Sequence, residues 1–361
     1  MWKRRENWEI GLTRRSLLNG AAGLAAAAVG PLGVSSLVSA AAPPVGKQAP
    51  GYYRYKVGSY EVTVVTDGVN RSPLGENYVR NAPKEAVNRA LASAHMETDK
   101  VTSPVTPIVV NTGTKLVVID TGFGPRLYKQ SKGAVGQFHS NLDAAGFDRN
   151  AVDAVIISHF HFDHISGLLT SDEKPAFPNA EVMVPASEWK FWMDDGNMSG
   201  APAGSAAEAN FNNVRRVFRS LNEVTHYVPG RELVSGITGI ATPGHTLGHT
   251  SHIISSGPDR VIVQGDVTSS IGLLFVRNPG WHVMFGMDGP MAEQTRRKLY
   301  DMAAADQILV QEFHYPFPAV GYVQKDGSAY RWVPISWNPM LKLAAPTAAR
   351  VGGAFDPPPQ I

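Results

Sequence analysis

"SHFHFDHISG", residues 158–167, sets three histidines and an aspartate within six positions: His159, His161, Asp163 and His164. Such side chains are poor core residues, and packing them together needs partners or an ion. The stretch continues directly from "AVDAVIIS" (151–158), whose apolar run after Asp153 is of the kind that forms a strand buried on both faces. In H-x-H-x-D-H, His159 and His161 lie two apart and can converge on one metal from an extended or tightly turned loop. Asp163 and His164 then point toward a second position.

The same arrangement recurs downstream. "GITGIATPGH" reads as a strand ending at His245, "RVIVQGD" as one ending at Asp266, and "QILVQEFH" as one ending at His314. Upstream, "YYRYKVGSYEVTVV" (52–65) reads as a hairpin, and residues 105–110 and 115–120 as a strand pair across "NTGT", closed by the turn Asp120-Thr121-Gly122. "AEVMVP" is a further strand, after which Ser187 is placed to N-cap the helix "EWKFWMDD". Phe211, Val214, Val217, Phe218 and Leu221 are spaced for one helix face, and residues 291–303 are also helical. Apolar strands separated by helices predict a layered α/β fold with buried sheets and a site at the strands' C-terminal ends.

The chain has 361 residues, 43% hydrophobic and 18% charged, with 35 Gly and 26 Pro, a globular and loop-rich composition. Its net charge is +2 and its basic residues are scattered, which argues against nucleic acid or an anionic membrane as partner. It contains no cysteine, so any metal site must use histidine and carboxylate, and disulfides and thiolates are excluded. Residues 1–40 carry Arg14-Arg15, an Ala- and Gly-rich run broken by Gly30-Pro31, and small residues up to Ala40. This resembles a twin-arginine export signal and is a poor membrane span; cleavage near Ala40 and a periplasmic or secreted protein are the expectations. The fold is expected over residues 50–342, with a loose Pro- and Gly-rich tail over 343–361.

Taken in order, "DTG", "SHFHFDH", "TPGHTLGH", "GD" and "FH" resemble the metallo-β-lactamase superfamily. Within it the chain looks like the methyl parathion hydrolase and N-acyl-homoserine lactonase branch. The resemblance implies a four-layer αβ/βα sandwich, two mixed sheets flanked by helices. It also implies two divalent ions, zinc first and Mn, Co or Fe as alternatives. His159, His161 and His245 would hold one ion, Asp163, His164 and His314 the other, and Asp266 would bridge them. Asp120 would support the histidine loop from behind; His249 is read as similar support, and His252 is not counted as a ligand.

Paired ions ~3.5–4 Å apart can share a hydroxide, because bound water falls to a pKa of about 7. The expected enzyme is therefore a dinuclear hydrolase of lactones, aryl esters or organophosphate triesters, with Asp163 orienting the nucleophile and carrying a proton. Trp189, Trp192, Phe275, Trp281 and Phe285 are expected to line an aromatic pocket for a small apolar substrate, with Phe191 turned away. Tyr322 stands where relatives commonly have a histidine. Alternatives are a glyoxalase- or β-lactamase-like hydrolase, a flavodiiron-type oxidoreductase, or a non-catalytic exported metal-binding protein. Commonly the β-lactamases need a cysteine where Asp266 stands, and flavodiiron proteins a glutamate where His161 stands. Dimerisation is left open.

Overall fold

Successive side chains of a strand point to opposite faces, so an all-apolar strand must be covered on both sides. In the computed structural model, which describes Gly46 and residues 48–341, that alternation sorts the apolar runs into separate cores. The export signal expected over 1–40 and the tail expected from 343 lie outside the described residues.

The chain opens with the hairpin β1 (Tyr52–Val57) and β2 (Tyr60–Val65). A separate ribbon follows, β3 (Gly68–Pro73) and β4 (Lys100–Val105), bracketing helix α1 (Lys84–Ser93). β5 (Ile108–Asn111) and β6 (Leu116–Ile119) return antiparallel beside β2. After helices α2 (Pro125–Gln130) and α3 (Phe138–Ala144), β7 (Ala154–Ile156) adds parallel to β6. The short helix α4 (Phe162–Ile165) leads on to β8 (Glu181–Pro185). Helices α5 (Ala186–Trp192), α6 (Asp195–Ser199) and α7 (Ala206–Arg219) precede β9 (Thr225–Tyr227). These seven strands form one mixed sheet in the order β1-β2-β5-β6-β7-β8-β9.

The second sheet runs in simple sequence order: β10 (Glu232–Val234), β11 (Ile237–Ala241), β12 (Thr250–Ser256), β13 (Asp259–Val263), β14 (Leu309–Gln311), β15 (Val320–Asp326) and β16 (Ala329–Pro334). Its parallel step is β13–β14, bridged by α8 (Gly272–Arg277) and α9 (Gly289–Ala305).

Val62, Val64, Val117, Ile119 and Ile156 of the first sheet meet Ile237, Ile254, Val261 and Val320 of the second in one core. Their neighbours Val65, Val118 and Val155 face outward onto Phe138, Leu142, Phe211, Val214 and Val217, the inner faces of α3 and α7. Ile262, Val310 and Val323 face the other way, onto Leu299, Tyr300 and Ala303 of α9. The layers are therefore helix, sheet, sheet, helix, as expected. Each fully buried Val or Ile contributes roughly 1.5–3 kcal/mol. A fourth core joins the β3–β4 ribbon and α1 to α8, through Leu74, Leu91, Val101, Leu274 and Phe275.

Two local expectations need correction. Helix α5 begins at Ala186 with Pro185 at the cap position, so Ser187 lies inside the first turn and caps nothing. The ligand-type residues are not strand residues: His159, His245, Asp266 and His314 sit three or four positions past the ends of β7, β11, β13 and β14. The ladders stop early because the chain must turn there to aim these side chains. No helix among the described residues is long and apolar enough to cross a membrane.

Candidate metal centre

Four loops leaving the same edge of the sandwich bring the seven ligand-type residues together. His159 Nε2 lies 3.1 Å from His161 Nδ1, which lies 2.9 Å from His245 Nε2. On the other side, His314 Nε2 is 3.3 Å from Asp163 Oδ2, and His164 Nε2 is 3.8 Å from Asp163 Oδ1. Asp266 stands between. Its Oδ2 is 3.2 Å from His245 Nε2, and its Oδ1 is 3.3 Å from His164 Nε2 and 3.2 Å from His314 Nε2. The facing atoms of His159, His161 and His245 lie within 4.8 Å of one another, as do those of Asp163, His164 and His314. His159, His164 and Asp266 form a third such group linking the two.

The far nitrogen of each anchored ring fixes which one faces inward. His164 Nδ1 donates to Asp120 Oδ2 at 2.8 Å, and His314 Nδ1 donates to the Pro104 carbonyl at 2.7 Å, with Ser103 Oγ 2.9 Å away. Ser158 Oγ stands 3.0 Å from His159 Nδ1 and donates to Asp120 Oδ2 at 2.7 Å, while the Ser158 amide donates to Asp120 Oδ1. Asp120 itself holds φ +58°, a left-handed conformation that aspartate tolerates better than most residues. It thus accepts hydrogen bonds from both Ser158 and His164, at either end of the histidine loop. His249 does the same for Asp266: its Nε2 accepts the Asp266 amide at 2.9 Å while Nδ1 faces Thr242 Oγ1 at 2.8 Å. His252 lies away from the cluster, against Tyr227 Oη at 3.1 Å.

Burial above all, then the neighbouring imidazoles, holds His159 and His161 well below the usual histidine pKa, which favours neutral rings, each with one lone pair. At His164 burial acts the same way, but the carboxylates of Asp120, Asp266 and Asp163 outweigh it and raise the ring well above its usual value. Burial would raise Asp266, yet His314, His164 and His245 draw it well below the ordinary carboxylate range.

His164 Nε2, Asp266 Oδ1 and His314 Nε2 are buried without a hydrogen-bond partner among the described residues. Unsatisfied buried polar atoms cost about 1–3 kcal/mol each, and three of them face one point. A cation there satisfies all three. The donor set is nitrogen and oxygen only, which suits zinc and other borderline divalent ions. The residues fit a metal.

The family model of the metallo-beta-lactamase superfamily matches residues 102–307, more than half of the chain. The chain belongs to the metallo-beta-lactamase superfamily. Among solved structures it is similar to the hydrolase AbOPH of the beta lactamase superfamily, with 26% identity and a TM-score of 0.73 over 81% of this chain and 100% of that one. It is similar in fold to AidC, a dizinc quorum-quenching lactonase, at 22% identity and TM-score 0.71 over 80% of this chain and 98% of that one. A probable metal-dependent hydrolase from Staphylococcus aureus shares the fold at 21% identity and TM-score 0.60, over 78% of this chain and 100% of that one. No curated protein matches the sequence.

The expected aromatic pocket is where this superfamily member departs most from its sequence reading. Phe275 is 0% exposed and lies under the Arg296 guanidinium at 5.1 Å, so it is a core residue. Trp189 packs on the core, its ring 4.4 Å from that of His226 and 5.3 Å from that of Phe218. Trp281 packs edge-on to Phe275 at 6.1 Å. Aromatic residues on a motif-bearing segment serve the core whenever the helix turns them inward. Trp192 is buried but borders the centre, with its ring 6.1 Å from His161. Phe285 is 44% exposed, two residues before Met287, whose amide donates to the His245 carbonyl. Tyr322 is exposed on β15 opposite Leu309 and Val333, with no hydrogen bond to the cluster among the described residues.

Sequence reading passed over several residues. Phe162 (38% exposed, between His161 and Asp163) and Leu247 (48% exposed, two past His245) put apolar surface beside the ligands, and both lie inside the quoted motifs. Glu188 and Glu312 are buried acids that bind ligand-loop groups. The one signal for Glu312 was its place two residues before His314.

Proposed function

We propose that the chain is a dinuclear-metal hydrolase of lactones, aryl esters or phosphotriesters. One observation carries this reading: Asp266 turns Oδ2 toward His245 and Oδ1 toward His164 and His314, so a single carboxylate faces both clusters. His159, His161 and His245 would hold one ion, and Asp163, His164 and His314 the second. The ions would supply Lewis-acid polarisation of a carbonyl or phosphoryl oxygen and water activation at neutral pH.

The chain's own residues set the rest. Asp163 is 18% exposed at its side chain against 4% for Asp266, so it is the cluster's carboxylate that solvent reaches. It is placed to orient the attacking water and to take its proton at the carboxylate. Among the described residues no Lys or Tyr side chain is hydrogen-bonded into the cluster, which favours substrates whose leaving group needs no protonation. Phe162, Leu247 and Phe285 give the rim an apolar character suited to an acyl or aryl group. AidC, described as a lactonase, and AbOPH, described as a hydrolase, lend support from outside. Export by the twin-arginine route belongs to the same proposal; a variant with Arg14→Lys and Arg15→Lys should stay in the cytoplasm.

The test is a hydrolysis panel of dihydrocoumarin, acyl-homoserine lactones, p-nitrophenyl esters and methyl paraoxon, with metal content measured on the same sample. Two equivalents of metal and chelator-sensitive turnover of at least one substrate class are expected. Turnover that survives both chelation and His161→Ala refutes the proposal.

A further inference from the structure

Two buried glutamates lie just outside the ligand cluster, and each binds groups in two of the ligand-bearing loops. Glu188, on α5, is 1% exposed. Its Oε2 accepts the amide of Phe160 at 3.0 Å, the residue between His159 and His161. The same oxygen accepts Trp192 Nε1 at 2.9 Å. Its Oε1 accepts the amide of Gly248 at 2.8 Å, in the loop that carries His245. The fit leaves no slack: a Cβ on Gly248 would stand 2.5 Å from the Glu188 backbone nitrogen.

Glu312 is equally buried and repeats the arrangement on the other side. Its Oε2 accepts the amide of His314. Its Oε1 accepts Thr268 Oγ1 at 2.7 Å and Gln264 Nε2 at 3.3 Å, the residues two after and two before Asp266. Among the described residues the two glutamates share no hydrogen-bond partner, although His249, next to Gly248, accepts the Asp266 amide: Glu188 grips the His159/His161 and His245 loops, Glu312 the Asp266 and His314 loops.

We propose that Glu188 and Glu312 are separate positioning residues, Glu188 setting the first metal position and Glu312 the second. The inference rests on the two-ion reading above and adds an assignment of each half to its own support. Two accepting oxygens are required at each place because both receive an N–H. In glutamine the amide NH₂ must face an N–H donor at Glu188, releasing one of its loops, and at Glu312 it must face either the His314 amide or the Thr268 and Gln264 side, where Gln264 loses its acceptor. Loosening of residues that orient metal ligands typically costs about 10–100-fold in metal affinity. Here that loss should fall on one ion only.

The experiment measures metal content and zinc affinity of the dialysed full chain for wild type, Glu188→Gln and Glu312→Gln, each also combined with His161→Ala or His314→Ala. Wild type should hold two equivalents, and each glutamine variant one. Because His161→Ala already vacates the first position, Glu188→Gln added to it should change nothing further, while Glu188→Gln with His314→Ala should hold none. Glu312→Gln should show the mirror pattern, and residues whose effects coincide in this way are acting on the same position. Two equivalents at wild-type affinity in both glutamine variants overturn the proposal. Loss of both ions in Glu188→Gln with His161→Ala overturns it as well, because Glu188 would then support the whole centre. Wild type holding fewer than two equivalents instead removes the two-ion reading, before any variant is compared. Should Glu188→Gln not fold, Glu188→Asp, which keeps two acceptor oxygens but draws them back by one methylene, is measured in its place with the same outcomes.

Discussion

His164 and Asp120 form a buried pair in which Nδ1 donates to Oδ2 at 2.8 Å, leaving Nε2 as the nitrogen turned toward Asp266. Asp120 also receives the amide and hydroxyl of Ser158, the residue before His159, so one carboxylate sets the start and the end of the histidine loop.

Asp120→Asn keeps the shape and removes the charge that stabilises this tautomer. Metal affinity should fall about 10–100-fold. Competition against a chromogenic chelator measures it, and wild-type affinity in the variant would show that the pair is dispensable.

Gly265 has φ +58°, and a Cβ there would lie 2.7 Å from His249 Nε2. Gly265→Ala should therefore combine a left-handed penalty of roughly 1–2 kcal/mol with displacement of the His249 ring from the Asp266 amide. Gly327 shares the left-handed conformation (φ +60°) with nothing nearby, and Gly327→Ala is the control. Thermal melts should show both variants destabilised, and metal analysis should show loss of ions in Gly265→Ala alone.

Burial lowers His139 and His252 to about 4 from an ordinary 6.5. Between these values the unfolded chain binds protons that the folded chain refuses, so stability falls as pH drops from 6.5 toward 4. Each group contributes at most about 1.4 kcal/mol per pH unit over that window. Melting temperatures of the chelated chain across it should fall less steeply for His139→Gln than for wild type, whatever the variant's absolute stability. An unchanged slope would mean that His139 takes up no differential proton.

Phe275 and Phe162 should separate packing from binding. Phe275→Ala should cost about 3–5 kcal/mol of stability as a buried aromatic. Phe162→Ala should cost less than about 1 kcal/mol and raise KM for acyl or aryl substrates. Denaturant melts and steady-state kinetics on both variants test the distinction, and equal KM in wild type and Phe162→Ala would take Phe162 out of the rim.

Much of this was legible beforehand because it is written in local order. The continuous apolar run around Val155 demanded cover on both faces, and His159, His161, Asp163 and His164 were adjacent enough to read as one group. His245, Asp266 and His314 were found by their place just past apolar runs. Glu188 was not legible, because a lone acid on a helix between Ser187 and Trp189 reads as a solvated side chain. Its partner Gly248 is 60 positions away, and nothing local announces the bond. Phe275 and Trp189 were misplaced for a related reason: spacing tells which aromatics share a face, but not which face the fold turns inward.

His314 is oriented by the carbonyl of Pro104, 210 positions earlier, on a ribbon that belongs to neither large sheet. In the two-ion proposal the first position would draw its histidines from residues 159 to 245 alone. The second must wait for its last ligand to meet one of the earliest strands. Filling that second position would therefore mark a finished molecule: a fragment that stops before His314, or starts after Pro104, lacks what would close it.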